Sequence, residues 1–312
     1  MVTESPKAPI ASVVIVTRNR REMLRDALRT AVRQEGEVEV IVADDGSTDG
    51  TPEMVRDEFP QVRLVREEES SGYIRRRNSA ARLARADVII SIDDDAEFTA
   101  DDTVRRTVAF FDHPRVAAVA MPFVQERRSD EVLQRAPAAE GIWVTNAFIG
   151  TAHALRRDVF LALGGYREAL EHLFEEPDYC LRALDAGFVV RLGDTEPIVH
   201  HESTTRNVAR DLTHICRNHV LLAWLHVPLP FVLARAAQTL GYVARAAVLW
   251  RAPRPALRGL ALGVRYVAAN PRTRAPLSRR AYRLHRSLKR RPARLEAVEA
   301  ELPPLSQRVT AG

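Results

Sequence analysis

Short apolar runs alternate with helix-like segments over the first two thirds of the chain, and this alternation is the strongest constraint on its fold. Ser12–Thr17 and Val38–Ala43 are continuous β-branched runs, as expected for strands covered on both faces. Val62–Val65, Val88–Ile92 and Val116–Val124 repeat the pattern, and amphipathic segments separate them. This rhythm predicts an α/β fold with a mostly parallel, Rossmann-like sheet and helices on both faces.

Charge is divided unevenly along the 312 residues. Positions 1–200 contain 26 basic and 36 acidic residues, whereas positions 201–312 contain 20 and 5. The strand–helix alternation also stops near position 207, so we predict an α/β domain over 1–206 and a basic helical extension over 207–312. Two cysteines exclude a disulfide scaffold, and the first residues lack the pattern of a secretory signal, so a cytoplasmic location is expected.

Three consecutive aspartates follow the Val88–Ile92 strand directly. Asp93 and Asp95 are two positions apart, so on extended backbone their carboxylates point the same way. A divalent cation with hard oxygen ligands, Mn²⁺ or Mg²⁺, would offset their repulsion and could bridge substrate phosphates. The alternative is a solvated turn that caps the next helix. His200 follows a later strand-like run and is either a third metal ligand or a structural histidine.

Polar residues also follow the first two strands. Asp45 ends the second strand within an Asp-Asp-Gly-Ser segment, and Thr17 and Asn19 follow the first strand. Ligands of open α/β sheets bind beyond the carboxyl ends of the strands, so these side chains are candidates to hold a nucleobase or ribose. A tight turn is the alternative at Asp45.

A helix start rich in acids is the third candidate site. Phe174–Arg182 carries Glu175, Glu176 and Asp178 in its first turn, and Gly187 follows the helix. A carboxylate there could act as a general base, because the helix dipole keeps it ionised until bound substrate desolvates it. Complementing the dipole is the simpler interpretation.

Six segments in order resemble glycosyltransferase family 2, whose members have the GT-A fold. They are SVVIVTRNR (Ser12–Arg20), VADDGSTDGT (Ala43–Thr51), RNSAARLARADVIISIDDD (Arg77–Asp95), LRRDVFLALGGYRE (Leu155–Glu168), FEEPDYCLRALDAGF (Phe174–Phe188) and VHHES (Val199–Ser203). The resemblance covers about 11–207. It implies a metal-dependent enzyme that transfers a sugar from a nucleotide-sugar donor to a hydroxyl acceptor, usually with inversion.

The resemblance also implies residue roles. The residues expected to bind the nucleotide sugar are Thr17, Asn19, Asp45, Arg77, Asp93 and Asp94. Asp95 and His200 are expected to approach the metal, and Asn78 and the Gly164-Gly165 pair match positions near the substrates. Glu176 matches the general base, although the family usually has aspartate there, so Glu175 and Asp178 remain alternatives.

The resemblance leaves the partners broad. We expect a nucleotide-sugar donor and a glycan or lipid-linked acceptor, in cell-envelope or exopolysaccharide synthesis. A nucleotidyltransferase-like enzyme is the first alternative, but attack on phosphorus needs no base at the Glu175–Glu176 helix start. A catalytically silent protein that binds nucleotide sugar or membrane is the second, and retention of three acidic sites argues against it.

The basic extension has amphipathic character without a spanning segment. Every stretch of about 18 residues in it contains a proline or a charged residue, so a membrane-spanning helix is not expected. Leu233–Trp250 is amphipathic, and Arg258, Arg265 and Arg272 recur every seven residues, so peripheral contact with the inner face of the plasma membrane is one expectation. A helical extension packed on the α/β domain is the other, and no nucleic-acid module is apparent. Arg274–Arg294 and the last residues are predicted to be partly disordered.

Overall fold

Two sheets organise the part of the chain that the structure, a computed structural model, describes: residues 8–201 and 207–306. The strands are β1 Ala11–Thr17, β2 Val38–Asp45, β3 Arg63–Glu67, β4 Val88–Asp93, β5 Ala96–Glu97, β6 Val116–Ala120, β7 Phe123–Gln125, β8 Ser129–Leu133, β9 Trp143–Thr145, β10 Ala152–Arg156, β11 Val189–Leu192, β12 Ile198–His200 and β13 Ala293–Arg294. Nine of them form the main sheet in the order β13-β9-β11-β6-β10-β4-β1-β2-β3, and four form a smaller sheet in the order β5-β12-β7-β8.

The helices fall between the strands up to α6 and then follow one another. They are α1 Arg21–Ala31, α2 Thr51–Glu58, α3 Tyr73–Leu83, α4 Thr103–Ala109, α5 Arg157–Ala162, α6 Glu175–Asp185, α7 Val208–His226, α8 Val232–Leu249, α9 Pro253–Ala269, α10 Arg279–Leu288 and α11 Leu295–Val298. The predicted α/β alternation is therefore confirmed, and the helical region begins at α7.

The first half of the main sheet is parallel. β1 lies between β2 and β4, and β3 extends the sheet beyond β2, all in parallel register. Almost every residue of β1 is buried, as a strand covered on both faces requires. Because these strands run the same way, their carboxyl ends meet at one edge of the sheet.

Beyond β4 the direction of the strands alternates. β10 is antiparallel to both β4 and β6, whereas β11 is parallel to β6 and antiparallel to β9. β10 thus runs against its neighbours in the middle of the sheet. The chain leading into β10, which contains Gly150, therefore arrives at the same edge where β4 ends.

The run predicted as one strand over Val116–Val124 is two strands in different sheets. β6 ends at Ala120, and the chain passes through Pro122 before β7 begins in the smaller sheet. Proline has no N–H to donate, so it interrupts the hydrogen-bond ladder of the main sheet. The apolar residues after it pair with strands of the smaller sheet. β12 pairs with β7, and this pairing places His200, the last residue of β12, at the edge of the main sheet.

The helices of the extension pack through glycine. Cβ atoms placed on Gly259 or Gly263 of α9 would overlap α7, at the carbonyl oxygen of Thr213 and at Val220 respectively. The two helices therefore approach as closely as backbone contact allows. No helix in the described residues combines the length and apolar character needed to span a membrane.

The chain returns to the main sheet after α10. Ala293–Arg294 pairs with β9, and Leu295, Val298 and Leu302 join the main core. The prediction of partial disorder is wrong for this stretch, because three apolar side chains and a strand pair hold it; the positions after 306 lie outside the described residues.

Candidate active site

Three neighbouring strands deliver polar residues to one edge of the main sheet. Thr17 is the last residue of β1, Asp45 of β2 and Asp93 of β4, and these strands lie side by side in the order β4-β1-β2. The sequence prediction that these side chains share an edge is therefore matched by the topology.

Asp94 points inward from this edge. Its carboxylate accepts hydrogen bonds from the Thr17 hydroxyl at 2.8 Å and from the Arg20 guanidinium at 2.8 Å. Burial raises the pKa of Asp94 to about 6, and the cation of Arg20 opposes that rise. Arg20 also reaches Asp95 at 3.0 Å, so one guanidinium orders two of the three aspartates.

Asp93, Asp95 and His200 form a cluster that could hold a metal ion. One ligand atom from each lies within 4.8 Å of the others, and His200 Nε2 is 3.1 Å from an Asp95 oxygen and 3.9 Å from an Asp93 oxygen. Burial works against the charge on Asp95, yet the contact with His200 holds its pKa below the ordinary range. Two carboxylates and one imidazole suit Mn²⁺ and also accept Mg²⁺, so the donor set fits the expected ion.

Asp45 and Asn19 tie together the loops that follow β1 and β2. The Asp45 carboxylate accepts from the Ser70 hydroxyl at 2.6 Å and from the backbone N–H groups of Ser71 and Gly72. Asn19 has a positive φ of 53°, and its side chain accepts from the Thr48 N–H at 2.8 Å. Both residues shape the edge where a nucleotide was expected, and both side chains already have protein partners.

Glu175 and Glu176 begin α6 on the opposite side of this edge. Glu175 is fully buried and accepts hydrogen bonds from the Tyr73 hydroxyl at 3.0 Å and from Arg77 at 3.3 Å. The Glu176 side chain retains 15% of its exposure and lies 3.6 Å from Arg77. Burial raises the pKa of both carboxyl groups, and the Arg77 cation opposes that rise in each. The negative charge of Glu176 adds to the rise at Glu175.

Glycine at position 150 leaves room for the Glu176 carboxylate. A Cβ atom at Gly150 would overlap a Glu176 carboxylate oxygen. The loop before β10 therefore passes directly over the exposed member of the acid pair. Of the three acids at this helix start, Glu176 alone is both partly exposed and close to Arg77.

Asp178, two residues after Glu176, has a different environment. It is fully buried and binds Arg167 at 3.0 Å, Arg182 at 2.8 Å and His226 of α7 at 2.7 Å. Burial disfavours its charge, but Arg182 and His226 more than compensate and hold its pKa far below the ordinary range. A carboxylate occupied in this way is suited to holding α6 against α7 and poorly suited to accepting a proton.

Arg77 connects the two halves of the site. One terminal nitrogen binds Asp93 at 2.8 Å, and the other lies 3.3 Å from Glu175 and 3.6 Å from Glu176. The metal-type cluster and the acid pair are therefore separated by the width of a single guanidinium. Asp93 and Glu175 together raise the pKa of Arg77 against the effect of burial, so this cation is permanent.

Asn78 supports the site from behind. Its side chain donates to the Tyr166 carbonyl and accepts from the Tyr166 N–H, each at 2.8 Å. A Cβ atom on Gly165 would come 2.7 Å from the Asn78 oxygen, and Gly165 has a positive φ of 68°. The missing Cβ of Gly165 therefore leaves space for the Asn78 side chain. Asn78 binds the backbone of this turn, whereas the sequence resemblance had placed it near the substrates.

Two residues of the site carried no role in the sequence analysis. Arg20 bridges Asp94 and Asp95, and Tyr73 holds Glu175 while stacking against Arg77 at 5.2 Å. Tyr73 and Arg77 are four positions apart on α3, a spacing that places them on one helix face. That spacing was the available signal for Tyr73, whereas nothing in the sequence links Arg20 to a particular aspartate.

Comparison with known proteins agrees with this architecture. The family model described as "Glycosyl transferase family 2" matches residues 12–173. The Bacillus subtilis "Uncharacterized glycosyltransferase YfnE" is 42% identical over 90 residues, covering 27% of this chain and 23% of its own length. The "Validoxylamine A glucosyltransferase" of Streptomyces hygroscopicus subsp. jinggangensis is 41% identical over 91 residues, covering 27% and 22%. The match thus spans about a quarter of these curated relatives.

Solved structures share the fold at lower identity. A mannosyltransferase of Pyrobaculum calidifontis in complex with GDP-Man and Mn²⁺ has a TM-score of 0.57 and 23% identity, covering 86% of this chain and 88% of its own. GalNAc-T7 with UDP, GalNAc and Mn²⁺ has a TM-score of 0.56 and 16% identity, covering 71% and 49%. These likenesses establish the GT-A fold predicted from the sequence, including a helical region after the catalytic sheet. Because the family model covers more than half of its residues, the chain belongs to glycosyl transferase family 2.

Proposed function

We propose that this protein transfers a sugar from a nucleotide-sugar donor to an acceptor hydroxyl, with metal dependence and inversion at the anomeric carbon. The observation that carries the proposal is the closeness of two acidic centres. Asp93, Asp95 and His200 lie on one side of Arg77, and Glu175 and Glu176 lie on the other. Such a layout supports holding the diphosphate of a donor at the first centre and activating an acceptor at the second.

The donor would be bound at the edge formed by β4, β1 and β2. Asp95 and His200 would hold Mn²⁺ or Mg²⁺, and Asp93 would face both the ion and the donor ribose. Bound there, the ion supplies positive charge that stabilises the departing nucleoside diphosphate. Thr17, Asn19 and Asp45, held by the contacts described above, would form the walls of the nucleotide site.

Glu176 would act as the general base. Its carboxylate would take the proton from the acceptor hydroxyl as that oxygen attacks the anomeric carbon from the face opposite the leaving group. The bond from the anomeric carbon to the diphosphate breaks as the new glycosidic bond forms, so no covalent enzyme intermediate is required. Burial raises the pKa of Glu176 and so favours uptake of this proton, although the Arg77 cation opposes the rise.

A thermal-shift screen tests the donor half of this proposal. UDP-, GDP- and dTDP-sugars would each be added with Mn²⁺ or with EDTA, and one of them is expected to raise the melting temperature only with Mn²⁺. Asp95→Asn should abolish that metal-dependent shift, while Glu53→Gln on the exposed face of α2 should retain it. Equal stabilisation with EDTA, or an unchanged shift in Asp95→Asn, would reject the metal role.

Peripheral contact with an anionic membrane at the cytoplasmic face is the second part of the proposal, in keeping with a role in cell-envelope or exopolysaccharide synthesis. The support is the exposed apolar surface of α8, where Leu233 is 82% exposed, Leu240 56% and Val248 75%, interspersed with arginines. Pelleting with phosphatidylglycerol vesicles should fall in Leu233→Glu/Leu240→Glu. Pelleting that matches the unmodified protein would remove this part of the proposal.

A further inference from the structure

A groove of about 800 Å³ lies outside the candidate active site, between α7 and α9. One wall comes from α7, through Arg210, His214 and Arg217, and the other from α9. The same two helices approach closely at Gly259 and Gly263, which fixes their relative position. The volume suits a small ligand or a lipid headgroup and is typical of ligand sites in proteins.

Positive charge converges on this groove. Five arginines line it: Arg210, Arg217, Arg254, Arg258 and Arg265. Arg254 and Arg258 are four positions apart and Arg265 follows seven later, so all three share one face of α9. Each additional guanidinium on that face repels the others, because like charges at helix spacing are destabilising.

The protein itself neutralises little of this charge. Glu171 is the one acidic residue among those lining the groove, and its carboxylate binds Arg217 at 2.9 Å. Across residues 8–201 and 207–306, no carboxylate pairs with the side chains of Arg210, Arg254, Arg258 or Arg265. Four unpaired cations around one concave surface constitute a site for an anion with several oxygens.

The groove adjoins the candidate base. Its inner wall includes Glu171, and the chain runs from there through His172 to Phe174, the residue before Glu175. The His172 ring lies between those of His214 in the groove wall and Tyr73, with centroids at 5.4 Å and 5.6 Å. Tyr73 in turn binds Glu175, so the side chains of His172 and Tyr73 connect the groove wall with the acid pair.

This intervening segment is unusually constrained. Glu171, Leu173 and Phe174 all have positive φ values, of 62°, 65° and 74°, which non-glycine residues rarely adopt. Asn218 of α7 holds the segment by donating to the carbonyl oxygens of Leu170, His172 and Leu173 at 2.9 to 3.0 Å. The groove and the base are therefore held in a fixed relation by one helix.

We infer that the α7–α9 groove binds the phosphate or diphosphate group of the acceptor, which makes this a transferase for phosphate-bearing acceptors. The inference rests on the proposed function and specifies its second substrate. Arg254, Arg258 and Arg265 would face the phosphate oxygens, leaving the acceptor hydroxyl to extend toward Glu176. Leu257 and Leu262 are 61% and 37% exposed beside these arginines, an apolar margin that a lipid chain would cover.

Calorimetric titration with inorganic pyrophosphate, in EDTA and without donor, tests the groove by itself. The full chain is expected to bind, and Arg258→Gln/Arg265→Gln should weaken that affinity roughly tenfold or more, since each charge-assisted contact is lost. Arg283→Gln/Arg286→Gln removes the same charge from exposed positions of α10 outside the groove and should bind like the unmodified protein. Unchanged far-UV circular dichroism and melting temperature would establish that both variants fold.

The source of the phosphate is decided by a second arm with phosphatidylcholine vesicles, prepared with and without phosphatidic acid. Pyrophosphate binding together with phosphatidic-acid-dependent pelleting that the groove variant loses supports a lipid-linked acceptor. Pyrophosphate binding without such pelleting supports a soluble phosphorylated acceptor. No pyrophosphate binding, or an equal loss in the α10 control, overturns the inference. Donor stabilisation with Mn²⁺ is measured separately, so failure of the groove and failure of the proposed transferase reaction remain distinguishable.

Discussion

Three acids within one turn of α6 have different properties because of their neighbours. Glu175 is buried between Tyr73 and Arg77, Glu176 faces the space beneath Gly150, and Asp178 is enclosed by cations. Spacing alone left these three open as alternatives for the base. What separates them is contact with residues far away in sequence, which no local pattern reports.

Glu176→Gln is expected to lower the transfer rate by at least about 100-fold, because the amide cannot accept a proton. Metal-dependent donor stabilisation should persist, since the proposed donor edge lies across Arg77. The measurement is single-turnover transfer alongside the thermal shift, with Glu53→Gln as the surface control. A variant that transfers at the normal rate would exclude Glu176 as base.

Asp178→Asn is expected to cost about 3 kcal/mol of stability at pH 7, because it removes the buried charge that the partly buried Arg167 and Arg182 share. The folded-state pKa of Asp178 lies below its unfolded value, so its contribution is present above about pH 4 and declines as pH falls below that point. Urea unfolding should therefore give a smaller difference in unfolding free energy between variant and unmodified protein at pH 3 than at pH 7.

The comparison for this pH series is Asp112→Asn, whose 59% exposed side chain pairs with Arg191. An exposed pair contributes about 0 to 1 kcal/mol. The structural role of Asp178 would be contradicted if Asp178→Asn lost no more unfolding free energy than Asp112→Asn. It would also be contradicted if the loss were larger at pH 3 than at pH 7.

Much of the site edge was predictable from the residues. Thr17, Asp45 and Asp93 end parallel strands that are neighbours in the sheet, so the topology alone places them at one edge. Arg20 and Tyr73 escaped prediction because their roles depend on which aspartate or glutamate a long side chain reaches. Asn78 was predicted near the donor but is committed to Tyr166, an outcome decided by the turn at Gly165.

At the scale of elements, glycine decides how the extension packs. Gly259 sits where α9 touches the backbone of α7, and Gly241 on α8 has open space around it. Both lie inside helices, so helix propensity alone predicts the same change in stability when either is replaced. Their different surroundings predict opposite effects for the same substitution.

Gly241→Ala should raise the free energy of unfolding by about 1 kcal/mol, the propensity gain of alanine over glycine. Gly259→Ala should lower it by about 1 to 3 kcal/mol despite that gain, because the new methyl group meets the Thr213 carbonyl and α9 must move away. Chemical denaturation of both variants measures the difference. Stabilisation in both would mean that α7 and α9 do not pack at this distance.

Element boundaries were predicted well where apolar periodicity ends in a polar residue and poorly where it does not. The run from Val116 to Val124 is uniformly apolar, and its single sign of a change of sheet, Pro122, was not used in the prediction. That break matters for function, because β7 supports the strand that ends at His200.

At the scale of the whole molecule, the extension and the catalytic sheet are one interlocked structure. Leu221, Leu222 and Leu225 of α7 lie in the main core, and the chain later returns to pair β13 with β9. Carbonyl oxygens of Pro303 and Pro304 close over Gly187, where a Cβ would come within 2.7 Å of either. Charge composition changes at the predicted boundary between 206 and 207, but the hydrophobic core contains residues from both sides of it.

A chain ended after Arg291 should therefore lose stability throughout, not only in its last segment. It leaves β9 without its outer partner and removes Leu295, Val298 and Leu302 from the core, each worth about 1.5 to 3 kcal/mol of burial. Hydrogen exchange of the β9 and β11 amides would report the effect. Protection equal to that of the full chain would show that the returning segment is dispensable.

The late return of β13 also has a consequence for synthesis. Thr145 ends β9, and the strand that covers it begins at Ala293, so the ribosome must add about 150 residues between them. At about 5 to 20 residues per second, the edge of a nearly complete sheet is open for roughly 7 to 30 seconds. An open strand edge is a template for pairing with other nascent chains. The time at which this protein most needs a chaperone therefore falls between the emergence of β11 and that of its final strand.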